Sequence, residues 1–224
     1  MSHEPEVEPA VFWENRYLER GQSWSGLPNA PLEREAAALE PGSALDVGCG
    51  EGGDADWLAS AGWRVTAVDI SATALAFGAA RAAEAGLDIR WVEADLASWR
   101  PDGAFDLASS HFLHSPVELP RDVILRRAAA AVAPGGTLLI VGHATPPQGA
   151  GHGHGGGHGD GSGEVSLPMP DEVLASLDLE EGEWSVVTSA LMKRLGIGPD
   201  GTTMTLADSV LRLRRRAIAA GPAS

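Results

Sequence analysis

The sequence predicts an α/β fold in which helices cover both faces of a doubly wound, mostly parallel sheet. Three observations predict it. Short apolar runs alternate with helix-length segments from Ala44 to His143, and strands separated by helices need crossover connections and hence a parallel sheet. Glycines stand at 48, 50, 52 and 53, directly after the first of those runs, and that density is entropically costly unless something approaches the backbone there. Near the end of the chain, "EWSVVTSALM" and "ADSVLRLRR" follow one another with no helix between, which predicts an antiparallel pair at one side of the sheet.

The elements follow in order. Residues 1 to about 10 read as an acidic tail. "FWENRYLER" reads as a short helix with Trp13 and Tyr17 one turn apart. "GQSWSGLPN" is a loop by composition, and "APLEREAAALEPG" a helix with Pro31 in its first turn and Gly42 past its end. "ALDVG" reads as a buried strand, and a helix from about Asp54 to Ser60 follows the glycines. "WRVTAVDI" is the second strand. "SATALAFGAARAAEAG" is a helix capped by Ser71 and stopped by Gly86. "DIRWVEAD" and "AFDLASS" are the third and fourth strands. "PRDVILRRAAAAVAPGG" is a helix with a proline-glycine stop, "GTLLIVGH" the fifth strand and "PDEVLASL" a short helix. Two regions result: 1–43, an acidic tail with a helical covering segment, and 44–224, the sheet domain. A flexible histidine-glycine loop is expected at about 146–168.

Composition narrows the function. The 224 residues carry a formal net charge of -15 and are 44% apolar, enough for a real core. That charge disfavours a nucleic-acid backbone or an anionic membrane as partner and leaves a small-molecule substrate open. Cys49 is the single cysteine, so no internal disulfide forms. "MSHEPEVEPA" lacks the apolar run of a signal peptide and no segment reaches spanning length, so a cytoplasmic location is expected. The oligomeric state is not legible.

The glycine turn decides most. In open α/β sheets, ligands bind beyond the carboxyl ends of the strands. Glycines at 48, 50 and 52 clear side chains from that approach and leave backbone and a helix N-terminus facing the ligand. Gly48, Gly50 and Gly53 also satisfy the G-x-G-x-x-G dinucleotide spacing. Asp46 argues against a pyrophosphate, because an acid at the strand tip repels phosphate and attracts an ammonium. Asp69 ends the second strand, where an acid accepts ribose hydroxyls. Asp95 follows the third strand, where it can accept from an exocyclic amine or simply cap a helix. Acids at three successive strand ends suit a ligand with an ammonium, a diol and an aminopurine.

"ALDVGCGEGGDADWLASAGWRVTAVDIS", with "EADL" and "APGGTLLIVG", resembles the class I S-adenosylmethionine-dependent methyltransferases. The pattern Phe12, Trp13, Arg16, Tyr17, Trp24, Gly26, Pro28 and Asn29 is similar to the tellurite-resistance and thiopurine S-methyltransferase group. The resemblance implies a Rossmann-like seven-stranded sheet with an antiparallel C-terminal strand. It implies S-adenosyl-L-methionine as cofactor and S-adenosyl-L-homocysteine as product. Asp46 and Gly48 would lie near the methionine moiety, Asp69 at the ribose, and Asp95 with Leu96 at the adenine. Cys49, Gly50, Ile70 and Ser110 complete the expected cofactor-binding set. Trp24 would cover the cofactor, although a tryptophan there also suits a core. Cys49 reads as a small buried residue rather than a nucleophile.

The acceptor side is less specific. A soft thiolate or selenide needs little help beyond alignment, whereas an acceptor that binds protonated needs a base. "SSHFLHSP" ends the fourth strand and makes His111 and His114 the catalytic candidates. His143 is a weaker third, and each of the three also suits a structural role. His152, His154, His158 and Asp160 match no closed metal-site spacing, so no metal site is expected. Two other functions fit the same sheet: an NAD(P)-dependent reductase, disfavoured by Asp46, and a non-catalytic cofactor- or metal-sensing protein.

Overall fold

The structure, a computed structural model, describes residues 7–22, 26–144, 167–197 and 203–217. Trp24, His152, His154, His158 and Asp160 lie outside the described residues, as does nearly all of the expected 146–168 loop.

Five parallel strands come first: β1 (Ser43–Val47), β2 (Arg64–Asp69), β3 (Ile89–Glu93), β4 (Phe105–His111) and β5 (Val132–His143). The C-terminal pair is β6 (Trp184–Ile197) and β7 (Thr203–Arg215). One seven-stranded sheet results, in the order β3-β2-β1-β4-β5-β7-β6. β7 lies between β5 and β6 and is antiparallel to both. The fold is therefore the expected one, with the antiparallel pair joined to the parallel sheet through β5. The strand order reverses between β1 and β4, which places the ligand crevice beyond their carboxyl ends.

The helices are α1 (Pro9–Arg20), α2 (Ala30–Ala36), α3 (Gly53–Ser60), α4 (Ala72–Glu84), α5 (Arg121–Ala130) and α6 (Pro170–Ser176). Two cores sandwich the sheet because inward residues alternate along each strand. On one face Leu138 and Ile140 of β5 meet Ile124 and Leu125 of α5 and Val173 of α6. On the other, Leu139 and Val141 meet Leu32 of α2, Leu58 of α3 and Ala82 of α4. Among the described residues, no helix is long and apolar enough to cross a membrane.

Two expected boundaries shift. α5 ends at Ala130, and Val132–Gly135, expected within the helix and its stop, already belong to β5. Val132 pairs with Phe105, the register then slips, and Thr137 pairs with Leu107. Pro134 has no N–H for either a helix or a ladder bond, so an irregular strand start accommodates it. α2 stops at Ala36, well short of the Gly42 stop that the sequence suggests.

The N-terminal segment packs onto the sheet domain through specific contacts. The carboxylate of Glu14 accepts from the Ser71 hydroxyl at 2.7 Å, from Thr73 N at 3.2 Å and from the Thr73 hydroxyl. Ser71 in turn caps α4, its Oγ accepting from Ala74 N at 3.1 Å. Trp13 Nε1 donates to Ser115 Oγ at 3.2 Å. These bonds carry α1 across the crevice.

Candidate functional site

Beneath α1 lies a cavity of about 650 Å³, bounded by the glycine turn, the tips of β1 to β4 and the distal part of the β6–β7 pair. Its floor is the turn after β1. Gly48 N and Cys49 N donate to Val68 O of β2 at 2.9 and 3.0 Å, which folds the chain back sharply. Gly48 has φ +72°, and a Cβ there would stand 2.7 Å from Leu113 Cδ1. The turn thus requires glycine for conformation and for space. Gly52, at φ +74°, precedes the first turn of α3.

Among the described residues, the expected cofactor-side residues converge with one exception. Asp46, Gly48, Cys49, Gly50, Asp69, Ile70, Asp95 and Leu96 all line the cavity. Ser110 does not: it is buried, and its hydroxyl donates to Val47 O at 3.1 Å. Its alternation along β4 turns it toward β1 and away from the cavity.

Each acid is in a different condition. Asp46 is 2% exposed, and its Oδ2 has no hydrogen-bond partner among the described residues. Burial pushes its carboxyl up to about 8, with Asp54 and Asp69 adding and His111 opposing. A buried carboxyl with one oxygen lacking a partner at the cavity wall suits a ligand that brings a cationic donor. Asp69 is engaged by backbone: Oδ2 accepts from Gly50 N at 2.8 Å and Oδ1 from Ser71 N at 3.0 Å. Burial nonetheless raises its carboxyl, those bonds opposing. Asp95 Oδ1 accepts from Ala97 N at 2.8 Å, so it caps a turn and lines the cavity at once.

Cys49 lines the cavity as a thiol. Burial, together with the Asp69 and Asp46 carboxylates, pushes it well above the ordinary value, which fits a packing residue rather than a nucleophile.

The histidines separate clearly. His111 is pinned: its Nδ1 stands 2.8 Å from Asp54 Oδ2, with side chains 4% and 6% exposed. Asp54 also accepts from Asn29 N at 2.7 Å and from Asn29 Nδ2 at 2.8 Å. Burial alone would lower His111, but the Asp54 carboxylate, with Asp46 and Asp208 adding, holds it above its ordinary value. Burial alone would raise Asp54, but His111 and the Asn29 bonds hold it below. The two shifts agree on mutual attraction between imidazole and carboxylate, and the geometry commits His111 Nδ1 to Asp54.

His114 lies in the opposite condition. Burial, the neighbouring Arg121 and His143 lower it to about 4, so it is neutral at ordinary pH. Its Nε2 accepts from His143 N at 3.4 Å, which makes Nδ1 the protonated nitrogen and a donor.

His143 completes this end with residues that sequence reasoning missed. Asp208 of β7 is 1% exposed, and Arg194 of β6 donates to its Oδ2 at 2.7 Å. His143 Nδ1 stands 3.9 Å from Asp208 Oδ1. The His143 ring stacks on Phe112 at 4.3 Å and 26°. Phe112 itself has φ +51°, a conformation that non-glycine residues rarely hold without cause. Trp13 and Tyr17 of α1 close the cavity from above. Arg194 and Asp208 were hidden because the strands that carry them read as an outer pair. The available signal was an acid inside the apolar run "LADSVLRL". Asp54 was hidden in the first turn of a helix, where acids are ordinary. Among the described residues, no group of three or more histidine, cysteine or acidic side chains is arranged to hold a metal.

Comparison with known proteins agrees with this arrangement. Residues 44–136 match the family described as "Methyltransferase domain". An uncharacterized methyltransferase of Mycobacterium tuberculosis (strain ATCC 25618 / H37Rv) is 42% identical over 103 residues, covering 46% of this chain and 51% of that protein. The chain spans about half the length of such curated relatives, or less. Among solved structures, a protein described under the conversion of a disulfide bond into a thioacetal group during echinomycin biosynthesis superposes with a TM-score of 0.67. It is 22% identical, over 93% of this chain and 92% of that one. TehB from Haemophilus influenzae superposes with a TM-score of 0.62 at 17% identity, over 91% of this chain and 67% of that one. The glycine turn and all three strand-end acids fall within the matched segment.

Proposed function

We propose that the chain is an S-adenosylmethionine-dependent methyltransferase acting on a small-molecule acceptor, with a thiol or a soft metalloid as the favoured class. The observation that carries the reading is Asp46, a buried carboxyl whose Oδ2 has no hydrogen-bond partner among the described residues, at the wall of the cavity and next to a turn that only glycine can form. When bound, such a donor supplies a methyl carbon made electrophilic by its sulfonium. The protein's part is to hold, orient and exclude water.

Asp46 and the backbone at Gly48 would take the ammonium end, Asp69 the ribose, and Asp95 and Leu96 the base. Trp13 and Tyr17 roof the cavity. A reductase is not favoured, because an acid replaces the phosphate cradle that a dinucleotide needs.

The acceptor reading rests on the cavity, whose far end joins apolar walls at Phe112, Leu113 and Leu119 to the His114–His143 pair. It is supported by the tellurite- and thiopurine-group pattern around Trp13 and Tyr17. It also fits the sulfur chemistry named for the echinomycin-related neighbour. The net charge of -15 disfavours RNA as the acceptor. Calorimetry with S-adenosylmethionine, S-adenosylhomocysteine and NADH tests the cofactor. Binding of NADH without binding of either sulfur ligand would end the reading. Methyl transfer to a panel of thiols, selenide, phenols and amines then tests the acceptor.

A further inference from the structure

We propose that His143, positioned by Asp208, is the base that takes the acceptor's proton, so that the acceptor is one that arrives protonated at its nucleophilic atom. The inference rests on the methyltransferase reading and deepens it.

Three histidines reach this cavity, and their surroundings leave one suited to the task. His111 is committed to Asp54. His114 spends its Nε2 lone pair on the His143 backbone N–H. His143 has neither restriction, and its side chain is 26% exposed, against 4% for His111.

The surroundings of His143 are those of an oriented base. Asp208 is buried on β7 opposite His143 in the sheet register. Arg194 occupies Oδ2, while Oδ1 is buried without a hydrogen-bond partner among the described residues. An orphaned buried acceptor is costly, and the His143 Nδ1 stands 3.9 Å away. Contacts of this kind are often long before ligands bind and tighten in the complex. An Nδ1–H aimed at Asp208 leaves the Nε2 lone pair for the acceptor. Phe112 fixes the ring plane by stacking, and the left-handed backbone at Phe112 is the strain retained to do so. The charged and titratable groups around the ring are Asp208 from β7, Arg194 from β6, His114 after β4 and Arg121 from α5, which faces His114.

The step balances. The acceptor's S–H or O–H bond breaks and its proton passes to His143 Nε2. The pair left on the acceptor forms the new bond to the methyl carbon, and the old carbon–sulfur pair leaves with the donor's sulfur as a neutral thioether. His143 returns its proton to water.

Two measurements test this. Long-range ¹H–¹⁵N NMR, with His143→Gln as the assignment control, reads the tautomer without any turnover. The expected result is Nδ1–H at His143 in the wild type and a shift toward Nε2–H in Asp208→Asn. A wild-type Nε2–H tautomer would overturn the proposal. With S-adenosylmethionine and 2-mercaptoethanol as probe acceptor, His143→Gln should lower the rate at pH 7 by about 100-fold with donor affinity unchanged. The deficit should shrink at alkaline pH, where the probe thiol ionises unaided. A His143→Gln rate equal to wild type at pH 7 would also overturn it. Absence of sulfonium binding in the wild type would instead refute the methyltransferase reading, and the tautomer measurement would still decide the Asp208–His143 relationship.

Discussion

His111 Nδ1 and Asp54 Oδ2 lie 2.8 Å apart in a buried pair that joins the end of β4 to the first turn of α3. Both elements border the cavity, so the pair holds the start of α3, just after the glycine turn, against the end of β4. Asn29 completes the coordination of Asp54 and draws the segment before α2 into the same cluster.

The pair sets a pH window. Asp54 is lowered in the fold, so its contribution is present above the unfolded carboxyl value of about 4 and is lost as pH falls through the lower folded value. His111 is raised, so its contribution is complete below the unfolded value of about 6.5 and is lost as pH rises through the higher folded one. Asp54→Asn should destabilise the protein by about 3 to 5 kcal/mol near pH 5 to 6 and by less in alkaline solution. Urea unfolding of both proteins at pH 5.5 and pH 9 measures the difference.

Asp46 has the opposite linkage. Its carboxyl is raised to about 8, so ionising it costs stability, and the fold weakens from this source as pH rises from about 4 toward that value. Asp46→Asn should raise the melting temperature of the ligand-free protein at pH 8. The same change should weaken S-adenosylmethionine binding by about 1.5 to 3 kcal/mol, the range for a hydrogen bond to a charged group. Binding to the wild type at pH 7 should release a proton, seen as a calorimetric enthalpy that depends on buffer. The asparagine variant should show no such dependence.

Gly48→Ala tests the floor of the cavity. The new methyl meets Leu113 and forces an alanine into φ +72°, at a conformational cost of roughly 1 kcal/mol or more. Donor affinity should fall together with stability, and Leu113→Ala in the same chain should restore part of both.

Glu14→Ala removes the carboxylate that joins α1 to Ser71 and Thr73. A loss of about 1 kcal/mol is expected, as for a lost helix cap. Because α1 carries Trp13 and Tyr17 over the cavity, donor affinity should fall as well. Amide hydrogen exchange should quicken in residues 9–20 while β4 and β5 stay protected.

The legible part of the fold was whatever hydrophobic periodicity and punctuation encode. The strand–helix alternation from Ser43 to His143 and the cap at Ser71 follow from local rules. The start of β5 at Val132 does not, because Pro134 and Gly135 resemble a helix stop in sequence and become strand only when Val132 pairs with Phe105. At the cavity, Asp46, Asp69 and Asp95 were readable because each stands at or just after the end of its strand. Ser110 was misplaced by one step of the β4 alternation.

By itself the sequence determined the doubly wound sheet, the glycine turn and the row of acids at the carboxyl ends of the strands. Those depend on neighbours within a few residues and on chain direction. Tertiary structure decided the surroundings of the histidines. His111, His114 and His143 have the same intrinsic chemistry, and what separates them is Asp54 from α3, Arg121 from α5 and Asp208 from β7. Charge–charge energies depend on distance through a poorly screened interior. The distance between residues 143 and 208 exists only once β7 has inserted beside β5.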